Sequence, residues 1–202
     1  MSIAPTLTYR HQNRLMLSLN CDNPAAVSIA SRCQHPLTAI EPQSVTAAQA
    51  LEALQQAYQT GYEQHAANEF ELLGVGIAGH GDPLLALPTL GELMQRFKAI
   101  RHGVPISLLT YGLVSPVEAE GIGQQLVDIG VEALEIYLPA ASPAAYETAV
   151  QPLTNDFSAV CQFISVAVSH ELRVTALVPE HAPAKSDIRQ LAQALGATVQ
   201  LV

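Results

Sequence analysis

Four groups of residues in this chain have types and spacing that can do chemistry. Gly79-His80-Gly81-Asp82-Pro83 sets an imidazole two positions from a carboxylate, directly after an apolar run. Such a pair can move a proton or hold a polar ligand. The alternative is a glycine-rich turn whose Asp82 accepts backbone N–H groups. Glu180-His181 follows another apolar run and offers the same two groups, or a solvated surface. Cys21, Cys33 and His35 are metal-ligand types, but Cys-x11-Cys-x-His matches no metal-binding spacing. They also read as ordinary buried or loop thiols. Tyr111 and Tyr137 end two further apolar runs, where a phenol closes a pocket mouth or simply packs. Neither G-x-S-x-G, a P-loop nor H-E-x-x-H occurs. Gly74-x-Gly76-x-x-Gly79 has the letters of a dinucleotide fingerprint. Its glycines lie largely within a strand and do not open a helix, so they mark close backbone approach.

The elements that must position these groups alternate regularly. Thr6–Arg10 and Leu15–Leu19 predict a short hairpin about a polar turn, His11-Gln12-Asn13. Further strands are expected at Leu72–Ile77, Pro105–Thr110, Ala133–Leu138, Arg173–Val178 and Thr198–Val202. Between them, apolar residues recur at helical spacing. A helix capped by Ser44 carries Val45, Ala48, Leu51, Leu54, Tyr58 and Tyr62. Thr89-Leu90-Gly91-Glu92 is a capping box opening a helix that buries Leu90, Leu93, Met94, Phe97 and Ile100 and stops at Gly103. Ser115-Pro116 starts the next, with Ile122, Leu126 and Ile129 inward and Gly130 at its end. Ser142-Pro143 caps a short helix to about Val150, and Asn155 or Asp156 starts one carrying Phe157, Val160, Cys161, Ile164 and Val168. Ser186 caps a last helix with Ile188, Leu191 and Leu195, ending at Gly196. Six strand–helix units predict an α/β fold with a parallel sheet, either doubly wound or curled into a partial barrel. In both, loops after the strands' C-terminal ends form the functional face.

The bulk composition narrows the class. The 202 residues are enough for one well-buried domain, and no composition shift marks a linker, so 1–202 reads as one domain. Apolar residues make up 49% and charged ones 13%, which suits strands buried on both faces or a homo-oligomer interface. A net charge of −9 argues against nucleic-acid binding, which needs Lys and Arg to neutralise phosphates. No apolar stretch is long enough for a membrane span, and Met1–Arg14 lacks the pattern of a signal peptide. Three cysteines, an odd number, do not form a disulfide framework, and the cytoplasm is the expected compartment.

Gly79-His80-Gly81-Asp82-Pro83-Leu84-Leu85 resembles the G-x-G-E-P-L-L segment after the second strand of radical SAM enzymes. Thr110-Tyr111-Gly112-Leu113 is similar to the T-N-G-L that ends their third strand, with Tyr111 where Asn is common. Tyr9-Arg10-His11-Gln12-Asn13-Arg14-Leu15-Met16-Leu17 looks like the opening of the TatD-associated radical SAM subfamily. The order of elements matches over nearly the whole chain. The resemblance implies a partial (β/α)6 barrel of TIM type behind a short N-terminal hairpin strand. It implies cofactor contacts from Gly79, Gly81, Asp82 and Thr110, with the carboxylate at position 82 holding the amino group of S-adenosylmethionine. Asp82 is one methylene shorter than the Glu usual there.

The family's defining C-x3-C-x2-C loop follows the first barrel strand and ligates a [4Fe–4S] cluster through three thiolates. Asn23-Pro24-Ala25-Ala26-Val27-Ser28-Ile29-Ala30 takes the family pattern C-P-N-A-C-V-F-C without gaps. Pro24 and Ala26 match, and the ligand positions become Asn23, Val27 and Ala30. None can donate a thiolate, so no metal ligand and no [4Fe–4S] cluster are expected. The resulting expectation is a degenerate radical SAM-like domain that is non-catalytic and binds a small molecule or protein partner. The alternative is a cluster-independent enzyme at the strand ends, with His80, Asp82, Glu180, His181 and Cys21 as candidates. Its ligand would be S-adenosylmethionine or a small anion.

Overall fold

The computed structural model describes residues 7–11, 14–19, 45–64, 74–79, 82–150 and 157–202. Among them lie seven strands: β1 (Thr8–His11), β2 (Arg14–Ser18), β3 (Gly74–Ala78), β4 (Ile106–Thr110), β5 (Ala133–Tyr137), β6 (Arg173–Val178) and β7 (Thr198–Leu201). They form one sheet in sequential order, β1 through β7. β1 and β2 pair antiparallel, with Thr8 opposite Leu17 and His11 opposite Arg14. Every later pair is parallel. The described helices are α1 (Ala47–Gln64), α2 (Leu87–Ile100), α3 (Ala119–Asp128), α4 (Pro143–Val150), α5 (Phe157–Ser169) and α6 (Lys185–Ala194), with a 3-10 turn at Pro83–Ala86 before α2.

Side-chain alternation assigns the two faces of the sheet. Leu15 and Leu17, Val75 and Ile77, Ile106 and Leu108, Leu134 and Ile136, and Val174 and Ala176 share one buried core. Leu54 of α1, Phe97 of α2, Leu126 of α3, Tyr146 of α4, Phe163 of α5 and Ile188 of α6 pack into that same core. All six described helices therefore cover one face, as right-handed crossovers between neighbouring strands require. A doubly wound sheet reverses its strand order and puts helices on both faces; this strand order does not reverse, and the described helices share one face. The opposite face carries a smaller apolar group, Met16, Ala78, Leu109 and Leu177, joined by Tyr9, Tyr137 and Val202. Gly76 pairs with Met16. A Cβ at Gly76 would collide with the Met16 sulfur, so glycine there lets Met16 lie across β3.

Several expected boundaries shift, each for a local reason. His11 belongs to β1 and is not a turn residue. Thr46 caps α1: its hydroxyl accepts the Gln49 N–H at 3.3 Å, while Gln49 Oε1 accepts the Thr46 N–H at 3.0 Å, and Ser44 lies outside the described residues. Ala47 and Ala50 are therefore buried and Ala48 is exposed. α2 starts at Leu87, ahead of the Thr89–Glu92 box, because the Pro83–Ala86 turn feeds directly into it. Ile100 is 50% exposed at its end. Ser186 lies inside α6, whose N-cap is Ala184 in a left-handed conformation without a side-chain cap. Ser142 does open α4, its hydroxyl accepting the Ala145 N–H at 3.4 Å. The expected start at Asn155 or Asp156 lies outside the described residues.

Candidate functional site

The loops after β3 and β4 meet at Asp82. Its side chain is fully buried and accepts three hydrogen bonds. Oδ1 takes the Leu84 N–H at 2.9 Å, which caps the 3-10 turn, with Pro83 at its first position. Oδ2 takes the Thr110 hydroxyl at 2.7 Å and the Tyr111 N–H at 2.8 Å. The Thr110 hydroxyl oxygen in turn accepts the Gly112 N–H at 3.0 Å. One carboxyl group thus fastens the end of β3 to the end of β4. Burial pushes its pKa up to about 6, although the Thr110, Tyr111 and Leu84 donors all pull it back down. Tyr111 is buried beside this knot and meets the Tyr137 ring edge-on, with centroids 6.2 Å apart.

The sequence candidates therefore separate. Asp82 and Thr110 come together, and Gly79 lies buried just beyond β3. Glu180 and His181 are exposed on the loop after β6, three strands away. No hydrogen bond or ion pair joins either to Asp82 among the described residues. The Glu180 N–H donates to the Val202 carbonyl at 2.7 Å, and the Glu180 carbonyl accepts from Lys185 Nζ at 2.6 Å. His80, Gly81, Cys21, Cys33 and His35 lie outside the described residues, as do Asn23, Val27 and Ala30. Among the described residues no three His, Cys, Asp or Glu side chains gather as a metal site would require.

A polar group on the helix-free face escaped the sequence reading. Arg14 opens β2, and its guanidinium donates to Ser107 of β4 at 3.0 Å and to both carboxylate oxygens of Glu135 on β5, one of them at 3.3 Å. Both charged side chains are largely buried, at 19% and 12% exposure. Tyr9 lies within their field. Burial pushes its phenol up to about 12, with Arg14 opposing and Glu135 adding to the rise. Its hydroxyl has no hydrogen-bond partner among the described residues. The available signal was the alternation in β2: with Leu15 and Leu17 facing the helices, Arg14 must face the other way.

Comparison with known proteins adds a fold. No family model matches the chain, and no curated protein matches it. Among solved structures, the chain is similar to the radical S-adenosylmethionine methyltransferase TsrM from Kitasatospora setae, in two states. One holds a tryptophan substrate and the S-adenosylmethionine analogue aza-SAM, with TM-score 0.52, 11% identity and 79% of this chain covered. The other holds cobalamin and a [4Fe–4S] cluster, with TM-score 0.51, 11% identity and the same coverage. The matched part spans only 30% and 31% of those chains. At this identity the likeness is one of fold: the chain shares an α/β architecture with that part of the methyltransferase. Among the described residues, no helix is long and apolar enough to cross a membrane.

Proposed function

We propose that this chain is a radical SAM-type partial (β/α)6 barrel that has given up cluster chemistry and acts as a non-catalytic binding, regulatory or partner domain. The carrying observation is the state of Asp82. The carboxylate that the resemblance assigns to the amino group of S-adenosylmethionine is enclosed and already accepts three donors from its own chain. A ligand amine would have to displace bonds that join two strand ends. The Asn23, Val27 and Ala30 side chains offer no thiolate to an iron–sulfur cluster. The residues present therefore do not fit the cluster, and no reaction step is routed through it.

The barrel reading is supported by strand order and by reach. Six parallel strands follow one another without reversal. Arg14 and Glu135 stand three strand steps apart, about 14 Å along a flat sheet. Side chains stand roughly perpendicular to a sheet, so a curl toward their face brings such a pair together.

Anaerobic reconstitution of the purified chain with iron and sulfide tests the loss of the cluster. We expect no [4Fe–4S] absorption and no EPR signal after reduction; a stable cluster signature overturns the proposal. Equilibrium dialysis with S-adenosylmethionine tests Asp82 itself. A structural Asp82 predicts that Asp82→Asn lowers stability, whereas a ligand-binding Asp82 predicts saturable binding that this variant abolishes.

A further inference from the structure

The loops after β5 and β6 border an open-sided cavity of about 520 Å3, and Asp82 is not among the residues that line it. Its volume lies within the range of small-molecule sites, and its place at the C-terminal ends of parallel strands is where such folds bind ligands. The walls are proline and alanine, from Pro139–Ala141 on one side and Pro183–Ala184 on the other, with Ala145 and Ala149 of α4 between. They leave room for a compact apolar body.

Among the described residues, the one charged group lining the cavity is an acceptor. The Thr148 hydroxyl donates its proton to the Ala144 carbonyl at 2.9 Å, leaving its oxygen to accept. The Ser142 oxygen accepts the Ala145 N–H and keeps its own O–H to donate. Asp187 lines the cavity, and its carboxylate has no partner among the described residues. Among the described residues the lining contains no Lys, Arg or His. Lys185, two positions from Asp187, is drawn away to the Glu180 carbonyl. Asp187 lies in the first turn of α6, where the helix dipole amounts to about half a positive charge. That half charge does not cancel the full charge of a carboxylate. The net charge of −9 further favours the approach of cations.

From this cavity we infer a binding site for a small aliphatic ammonium, with Asp187 pairing its nitrogen and the alanine–proline walls covering its carbon body. The site does not depend on the fate of the cluster, which reconstitution tests separately. Isoamylamine is a suitable probe and isoamyl alcohol its uncharged counterpart, titrated by NMR at low salt and neutral pH. The amine is expected to bind about fivefold more tightly than the alcohol, the scale of a solvent-accessible ion pair. Asp187→Asn should bring the amine down to the level of the alcohol, and Ala145→Leu should weaken both by filling the cavity. Asp187 and Ala145 are both exposed, so neither variant threatens the fold. Equal binding of amine and alcohol, an amine affinity unchanged in Asp187→Asn, or absence of binding overturns the site.

Discussion

Asp82 concentrates two opposing effects on one carboxyl group. Full burial disfavours its charged form, while two backbone N–H groups and the Thr110 hydroxyl favour it. Burial prevails, and the folded pKa rises from 3.8 to about 6. Between those values the folded chain binds more protons than the unfolded one, so its stability falls as pH rises. The contribution is complete below 3.8 and lost through about 6, with a span of up to roughly 3 kcal/mol. Other carboxyl groups titrate in the same range, so the comparison must be made against Asp82→Asn. An Asn turns one accepting oxygen into a donor facing N–H or O–H groups, which costs roughly 1–3 kcal/mol. Urea denaturation at pH 4 and pH 7 should show the wild-type advantage over Asp82→Asn shrinking toward neutral pH. An advantage that does not change with pH would mean that this carboxyl does not titrate in that window. The importance of position 82 was legible in the sequence, because Gly-His-Gly-Asp-Pro after an apolar run is a turn with a purpose. Its partners were not: Thr110 lies 28 residues away, and only the register of β3 against β4 brings them together.

The helix ends show what composition can and cannot reveal. α3 and α6 close with the same pair of bonds. After α3, Gly130 N–H donates to the Val127 carbonyl and Val131 N–H to the Leu126 carbonyl; after α6, Gly196 donates to Gln193 and Ala197 to Ala192. Both glycines have positive φ, 81° and 86°. α5 closes identically, Glu171 donating to Val168 and Leu172 to Ala167, but an exposed Glu171 holds the left-handed position at φ 63°. A side chain there costs about 1–2 kcal/mol of backbone strain, partly offset because glycine gains freedom in the unfolded chain. Glu171→Gly should therefore stabilise the protein by about 0.5–1 kcal/mol in thermal or urea unfolding. A loss of stability would mean that the glutamate side chain contributes more than its strain. Gly130 and Gly196 announced two of these ends in the sequence, whereas nothing in Glu171 announced the third. The same limit explains α6, where Ser186 suggested a cap but the chain turns at Ala184, a residue with no side-chain means of signalling it.

At the scale of the whole molecule, the described helices pack on one face of the sheet, and other contacts hold the strands together on the opposite face. Part of it is apolar, through Met16, Ala78, Leu109 and Leu177. The rest is the tie from Arg14 across Ser107 to Glu135, which spans β2, β4 and β5. Periodicity could not choose between a flat and a curled sheet, because both need the same buried strands; the choice depends on which distant strands touch across that face. The curl proposed above makes this tie a contact between strands that a flat sheet keeps apart. It also makes each partner costly to remove alone, since the remaining charge is left largely buried and unpaired, a loss of roughly 3–5 kcal/mol. Arg14→Met and Glu135→Gln should each destabilise the protein by that order. The double variant should lose clearly less than their sum, with a coupling of about 1–3 kcal/mol. Distant, independent sites add within about 0.5 kcal/mol. Strictly additive losses in urea unfolding would therefore mean that β2 and β5 do not meet across this face, and would remove the physical basis for the curl.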